Sequence, residues 1–287
     1  MKLWCSLLFI HFYIQRTDLY MSLIQNMQHW HPRKVYLFLF LGGFFIANAL
    51  LAEFIGVKIF SLEKSLGIEA FKINIFGLED LGFNLTAGVL LWPVVFIMTD
   101  IINEYFGMKG VRSFSFFTAG LIVYAFIMVY LAIQLTPADF WPGSQSEKGV
   151  VDLQQAFQAI FGQGLWIIVG SLTAFLIGQL VDVFVFHKVK MITGERYIWA
   201  RATGSTLVSQ FIDSFVVLFI AFYIGADWSL KLVLGIGIVN YLYKFTAALV
   251  LTPFIYAAHN LIDRYLGQEL SEKMRTEALA DKALATV

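Results

Sequence analysis

The stretch VYLFLFLGGFFIANALLAEFIG, residues 35–56, decides the class of fold. Its one charged side chain is Glu53. About 20 such residues, rising 1.5 Å each as a helix, cross the roughly 30 Å apolar layer of a bilayer. Outward from it, five more segments of the same kind follow: about 86–106, 113–135, 164–187, 202–225 and 230–258. Pro253 is expected to kink or break the last turns of the sixth; neighbouring helices can satisfy the carbonyl it frees.

Composition agrees with that reading. Of 287 residues, 59% are hydrophobic and 14% charged, and the mean hydropathy is +0.74. Soluble domains carry about 25% charged residues, so the soluble classes are excluded, and disorder with them. Cys5 is the only cysteine, which excludes a disulfide framework. Twenty Lys and Arg balance twenty Asp and Glu, so no basic excess points to nucleic acid.

Lysine and arginine in the loops set the orientation. Arg33, Lys34, Lys109, Arg112, Lys188, Lys190, Arg196, Arg201, Arg264, Lys273, Arg275 and Lys282 fall on one side, joined by Lys2 and Arg16. Lys58, Lys64, Lys72, Lys148 and Lys231 fall on the other, and Lys244 lies within a helix. The bias alternates at every loop. The expected fold is therefore an all-α integral membrane protein of six transmembrane helices with both termini cytoplasmic. It divides into an N-terminal extension (1–33), a six-helix domain (34–266) and a cytoplasmic tail (267–287), solvated as a helix or disordered.

The apolar run 3–14 is too short to span and lacks a small-residue cleavage site after it. It reads as an upstream extension, with Met21 or Met27 as alternative starts. Of the outer loops, 57–85 holds two glycine-containing turns. The other, 136–163, contains VVDLQQAFQAIFG (150–162), which reads either as an interfacial helix over an outward opening or as a connection.

A carboxylate at the bilayer centre costs about 2.5–3.5 kcal/mol on insertion scales. Such residues face the protein interior and mark sites or pathways. Asp100, Asn103 and Glu104 share one face of the second segment, and Gln179 and Asp182 one face of the fourth. Thr206, Gln210 and Asp213 share a face of the fifth, with Ser205 and Ser209 beside them; Asn240 and Lys244 stand one turn apart on the sixth. Asn48 and Glu53 lie on the first. Each has a structural alternative. Asp213 and Lys244 bind ligand or form a buried pair that fixes helix register; Asp182 and Arg201 form a site or an ion pair. Glu53 and Glu104 bind ligand or are wetted at helix ends, and Asn48 contacts ligand or bonds between helices. Gly170, Ala174 and Gly178, and the shorter Gly43–Ala47 pair, read as close-packing faces. Trp92, Phe96, Tyr241 and Tyr243 flank the polar positions as core or as a stacking surface.

No GxxxxGK[ST] is present. The histidines are not at zinc spacing, and Ser205 and Ser209 lack a nucleophile context. No cofactor or metal is expected. A polar site between helices near the membrane midplane is what a transporter needs; a membrane enzyme or a scaffold is the weaker alternative.

Four segments in order carry a resemblance: TDIINEYFG (99–107), GQLVDVFVFHK (178–188), STLVSQFIDSFVVLFIAF (205–222) and VNYLYK (239–244). They resemble the queuosine precursor transporter, or vitamin-uptake-transporter-like, family over roughly 34–266. The resemblance implies a bacterial inner-membrane importer of the 7-deazaguanine bases preQ0 and preQ1. The implied architecture is similar to the six-helix substrate-binding component of energy-coupling-factor transporters. It marks Asp100, Gln179, Asp182, Ser205, Thr206, Gln210, Asp213, Asn240 and Lys244. The expected substrate-binding set is those nine with Asn48 and Ser209. The expected partners are the small-molecule base, membrane lipid and either an energising module or further copies of the chain. Another vitamin-like substrate remains the alternative. Transport is driven by such a module, by facilitated diffusion with metabolic trapping, or by protons through Asp213 or Asp182.

Overall fold

In the computed structural model of the chain, residues 31–162, 164–193 and 198–280 are described. The apolar run 3–14, the alternative starts Met21 and Met27 and the tail residues 281–287 lie outside them. The chain divides after Leu41 into two compact units. The described part of the first is the opening of helix α1 (Pro32–Ile55); the rest of α1 and all later elements belong to the second.

After α1 come strand β1 (Ile59–Ser61), the short helix α2 (Leu62–Leu66), strands β2 (Ile73–Ile75), β3 (Leu78–Leu81) and β4 (Asn84–Thr86), and a 3₁₀ turn, Ala87–Leu90. Then follow α3 (Trp92–Gln134), α4 (Leu153–Phe161), α5 (Leu165–Thr193), α6 (Ile198–Leu218) with a π-turn at Phe219–Ile224, α7 (Leu230–Leu266) and α8 (Gln268–Ala280). Five helices among the described residues are long and apolar enough to cross a membrane, as expected of a multi-pass α-helical membrane protein.

Helix α3 covers both the second and the third expected segments, and it breaks between them. Gly107, at φ 68° and ψ −173°, leaves helical geometry. This left-handed φ favours glycine. The chain folds back there, as two hydroxyls show. Thr99 and Ser115 lie 2.7 and 3.5 Å from the same oxygen, Oε1 of Gln179. Sixteen residues of unbroken helix would hold them about 24 Å apart. The two arms of α3 are therefore a helical hairpin.

The first arm starts at Trp92, later than the expected 86, because β4 and the 3₁₀ turn occupy the residues before it. Pro93 in the first turn suits a helix start. Helix α7 runs through Pro253 to Leu266 without the expected break.

Close approach of α5 to α6 follows from Gly170, where a Cβ would meet Val217 O at 3.1 Å and Ala221 N at 3.2 Å. The face expected at Gly43 and Ala47 does not behave this way. Among the described residues nothing comes within 4 Å of where a Cβ on Gly43 would sit, whereas Gly42 lies against the Phe114 ring.

The loop after α1 is more ordered than its sequence suggested. β1 pairs with β4, and β2 with β3, both antiparallel. Leu78 and Leu81 of β3 lie against Gly235 of α7. Glu63 is buried under this loop. It accepts the Phe83 N–H at 2.7 Å and the Ser61 hydroxyl at 3.1 Å. Burial pushes its carboxyl up, but these hydrogen bonds outweigh burial and hold it below the usual carboxylate range.

The tail also differs from expectation. Helix α8 docks against α3 through one face: Ser271, Met274 and Ala278 are buried, and a Cβ on Gly107 would meet Ala278 O at 3.0 Å. The hairpin turn and α8 thus fit each other.

Candidate functional site

Four helical elements bring their polar faces together. Asp100, on the first arm of α3, accepts from Ser205 at 3.2 Å and Thr206 at 3.1 Å, both on α6. Asp182, on α5, accepts from Ser209 at 3.0 Å. Lys244 of α7 is paired with Asp213 of α6. Helical spacing explains this order: Ser205, Ser209 and Asp213 repeat every four residues and so line one stripe of α6. Asp100, Asp182, Ser205 and Ser209 are fully buried.

The pairing separates two kinds of carboxylate. Asp213 has a cation. Asp100 and Asp182 have only hydroxyl donors, and among the described residues no ion pair reaches either. The Arg201 side chain, expected near them, lies outside the described residues.

Several polar atoms in this seam have no partner among the described residues. Gln210 is 1% exposed, and both Oε1 and Nε2 of its amide are unbonded. Asp182 Oδ2 and Gln179 Nε2 are in the same condition. The Gln179 amide can be turned over, placing Nε2 beside Thr99 and Ser115, because the two ends are distinguished only by their bonds. One end stays unbonded in either orientation. Leaving a buried polar group unsatisfied costs about 1–3 kcal/mol, so a cluster of them is a feature to explain. Gln210, Thr206 and Lys244 also line a small pocket with Pro93, Ile97, Thr203, Ala248 and Ile255. Apolar walls with a few convergent polar groups are the general form of a small-molecule site.

A second network lies around the Gly107 turn. Glu104 bonds Lys190 of α5 at 3.0 Å and lies 3.7 Å from Arg275 of α8. Arg275 holds Asp263 of α7 at 2.6 Å. Asp263 also accepts from Tyr105 at 2.8 Å and Ser271 at 2.5 Å. Asn103 bonds His187 at 2.7 Å. The motif residues Asn103 and Glu104 thus serve the joint between α3, α5, α7 and α8. Glu104 is fully buried, not wetted at a helix end, because two cations reach it.

The remaining expected residues divide. Asn48 donates one amide N–H to Phe44 O, 2.8 Å away in its own helix. Glu53 is buried and accepts from Ser171 of α5 at 2.9 Å. Asn240 is half-buried one turn before Lys244. Phe96 is buried against Gly178, and Trp92 packs on Phe175. Both serve as core. Tyr241 meets Phe211 edge-on. Thr99 and Ser115 were missed from sequence. Thr99 was legible as the residue before Asp100; Ser115 had no signal, since its place depends on the fold-back at Gly107. Among the described residues no group of three or more His, Cys, Asp or Glu could hold a metal.

The sequence pattern of one family, described as "Putative vitamin uptake transporter", matches residues 86–258. The match runs from β4 through most of α7 and contains every residue of the seam. A "Probable queuosine precursor transporter" of Bacillus subtilis (strain 168) is 32% identical over 191 residues, 64% of this chain and 76% of the relative. One of the same description from Haemophilus influenzae is 27% identical over 209 residues, 68% of this chain and 77% of the relative. A "Queuosine precursor transporter" of Escherichia coli (strain K12) is 27% identical over 200 residues, 69% of this chain and 82% of the relative. No solved structure matches the chain.

Proposed function

The chain belongs to the vitamin uptake transporter family, whose members are transporters and not enzymes, and on that premise we propose that it imports 7-deazaguanine queuosine precursors, preQ0 and preQ1. The base binds in the seam between α3, α5, α6 and α7. The observation that carries this reading is the Gln210 amide, buried in the pocket lining with both ends unbonded among the described residues.

The chemistry fits a guanine-like edge. A 7-deazaguanine offers a lactam oxygen, an N–H and an exocyclic amine in a row. An amide both donates and accepts, so Gln210 and Gln179 can answer the oxygen and one N–H together. Lys244 can donate to the oxygen and Asp213 accept from adjacent N–H groups, each leaving the other to do so. Thr206 and Asn240 complete the polar lining. Asn48, which gives one amide N–H to its own helix, contributes least. The two substrates differ at one substituent, a neutral nitrile in preQ0 and a cationic aminomethyl group in preQ1.

The membrane arrangement belongs to the same proposal. Six segments cross a bacterial inner membrane: α1, the two arms of α3, α5, α6 and α7. Both termini and the Gly107 turn face the cytoplasm, where most of the lysines and arginines fall. Loop β1–β4 and α4 face outward.

Purified protein with preQ0 or preQ1 tests the proposal. A ligand at a hundredfold excess over its dissociation constant stabilises the folded state by about 2.7 kcal/mol. The melting temperature is expected to rise with either base and not with adenine. A strain lacking the gene is expected to lose uptake of the labelled base. No shift and no uptake defect would overturn the proposal. A shift with another vitamin-like compound alone would move the assignment to that substrate.

A further inference from the structure

Asp100 and Asp182 are the ionisable groups of the seam that the base does not account for. Resting on the transport reading above, we propose that these two carboxylates share one proton and form the coupling site through which a proton enters with each substrate molecule.

Three observations carry the proposal. First, both side chains are fully buried in apolar helices, and hydroxyls are their only bonded partners among the described residues. Two unneutralised negative charges held by hydroxyls one turn apart on α6 are costly twice over, in desolvation and in mutual repulsion. One shared proton removes both costs.

Second, the hydroxyls do not supply enough hydrogens. Ser205 has one hydrogen to give, and its hydroxyl lies 3.2 Å from Asp100. Ser209 likewise lies 3.0 Å from Asp182 Oδ1 and 3.1 Å from Thr206 O, with one hydrogen for the two. The remaining oxygen, Asp182 Oδ2, is buried and unbonded among the described residues.

Third, the pair adjoins the substrate seam. Gln179 precedes Asp182 by one turn on the same face of α5 and has an unbonded amide end. Thr206, which donates to Asp100, lines the pocket with Gln210. Substrate and proton would therefore be sensed by the same hydroxyl-bearing turn of α6.

Among the described residues the surrounding charges are already committed. On α3, Glu104 is bonded to Lys190 of α5 and lies near Arg275 of α8. His187 of α5 faces Asn103. Asp213 of α6 is held by Lys244 of α7, and His259 of α7 stacks on Tyr105. On α6 the Arg201 side chain lies outside the described residues. Asp213, the other carboxylate considered from sequence for proton coupling, is neutralised by a lysine.

The test uses the full chain alone in sealed liposomes with labelled preQ0, whose nitrile carries no charge of its own. With the outside acidic, preQ0 is expected to accumulate against its gradient, about tenfold per pH unit for one proton per molecule. A protonophore is expected to collapse that accumulation, and uptake to raise the external pH. Asp182→Asn, an analogue of the protonated acid, is expected to abolish the proton movement and flatten the pH dependence of preQ0 binding. Equal uptake with and without the protonophore, and no pH change, would overturn the proposal while leaving the transport reading intact. So would gradient-driven accumulation surviving in both Asp182→Asn and Asp100→Asn. No uptake or binding of preQ0 or preQ1 under any condition would overturn the transport reading itself, and the coupling with it. The wild-type measurement decides without any variant, so a variant that fails to fold does not stall the test.

Discussion

Asp213 and Lys244 show how a single contact changes what a residue can do. From the sequence each was a costly ion inside a helix; the structure makes them one buried pair across α6 and α7. Lys244→Met should leave Asp213 without its cation and lower stability by about 3–5 kcal/mol, as for other broken buried pairs. Adding Asp213→Asn should restore most of that stability without restoring uptake. Melting curves and uptake of the labelled base, measured on the single and double variants, check both halves. A double variant that transports normally would make the pair a register device. The candidates on α5 and α6 were legible because a carboxylate or amide in an apolar helix is rare. What was not legible was their division. Nothing in the spacing of Asp100, Asp182 and Asp213 says which one meets a lysine; that depends on how three helices turn toward one another.

Two elements depend on small local conditions. The α3 hairpin turns at Gly107, where φ is positive and Ala278 of α8 sits close. Gly107→Ala puts a side chain at φ 68° and ψ −173°, a region kept almost entirely to glycine and costing about 1–3 kcal/mol, and adds a contact with the α8 backbone. Loss of stability together with faster proteolysis of the tail is expected; unchanged melting and cleavage would refute the fit. The sequence marked the break only as a loop with Lys109 and Arg112. It hid the docking of α8, because alternating charged and apolar residues in KMRTEALA read equally well as a solvated helix. The buried face, Ser271, Met274 and Ala278, is a narrow stripe whose partner is a turn far away in sequence. In the outer loop, Glu63 is held below the usual carboxylate range. A group with a lowered folded value stabilises the fold above its unfolded value, near 4.5, and that contribution is lost as pH falls through the folded one. Protease cleavage within 57–91 should therefore rise on acidification below about pH 4.5, and in Glu63→Gln the acid-dependent part of that rise should be absent. Equal acid sensitivity in both proteins would remove Glu63 from the explanation.

For the molecule as a whole, hydropathy revealed the helices and the loop charges suggested their direction, whereas the strands of 59–86 were hidden in segments of only three or four residues. The proposed role comes from what the helices enclose: amides, hydroxyls and carboxylates in a seam whose hydrogen bonds are incomplete. Calorimetric titration of preQ0 into purified wild-type protein and Gln210→Leu tests that role most directly. Leucine removes the free amide, fills similar space and relieves two unsatisfied groups. Wild-type protein is expected to bind preQ0 in a saturable way. Gln210→Leu is expected to melt at the same or a higher temperature and to bind at least tenfold more weakly, about 1.4 kcal/mol for each factor of ten. Equal affinity in the two proteins would contradict the placement of the substrate in this seam.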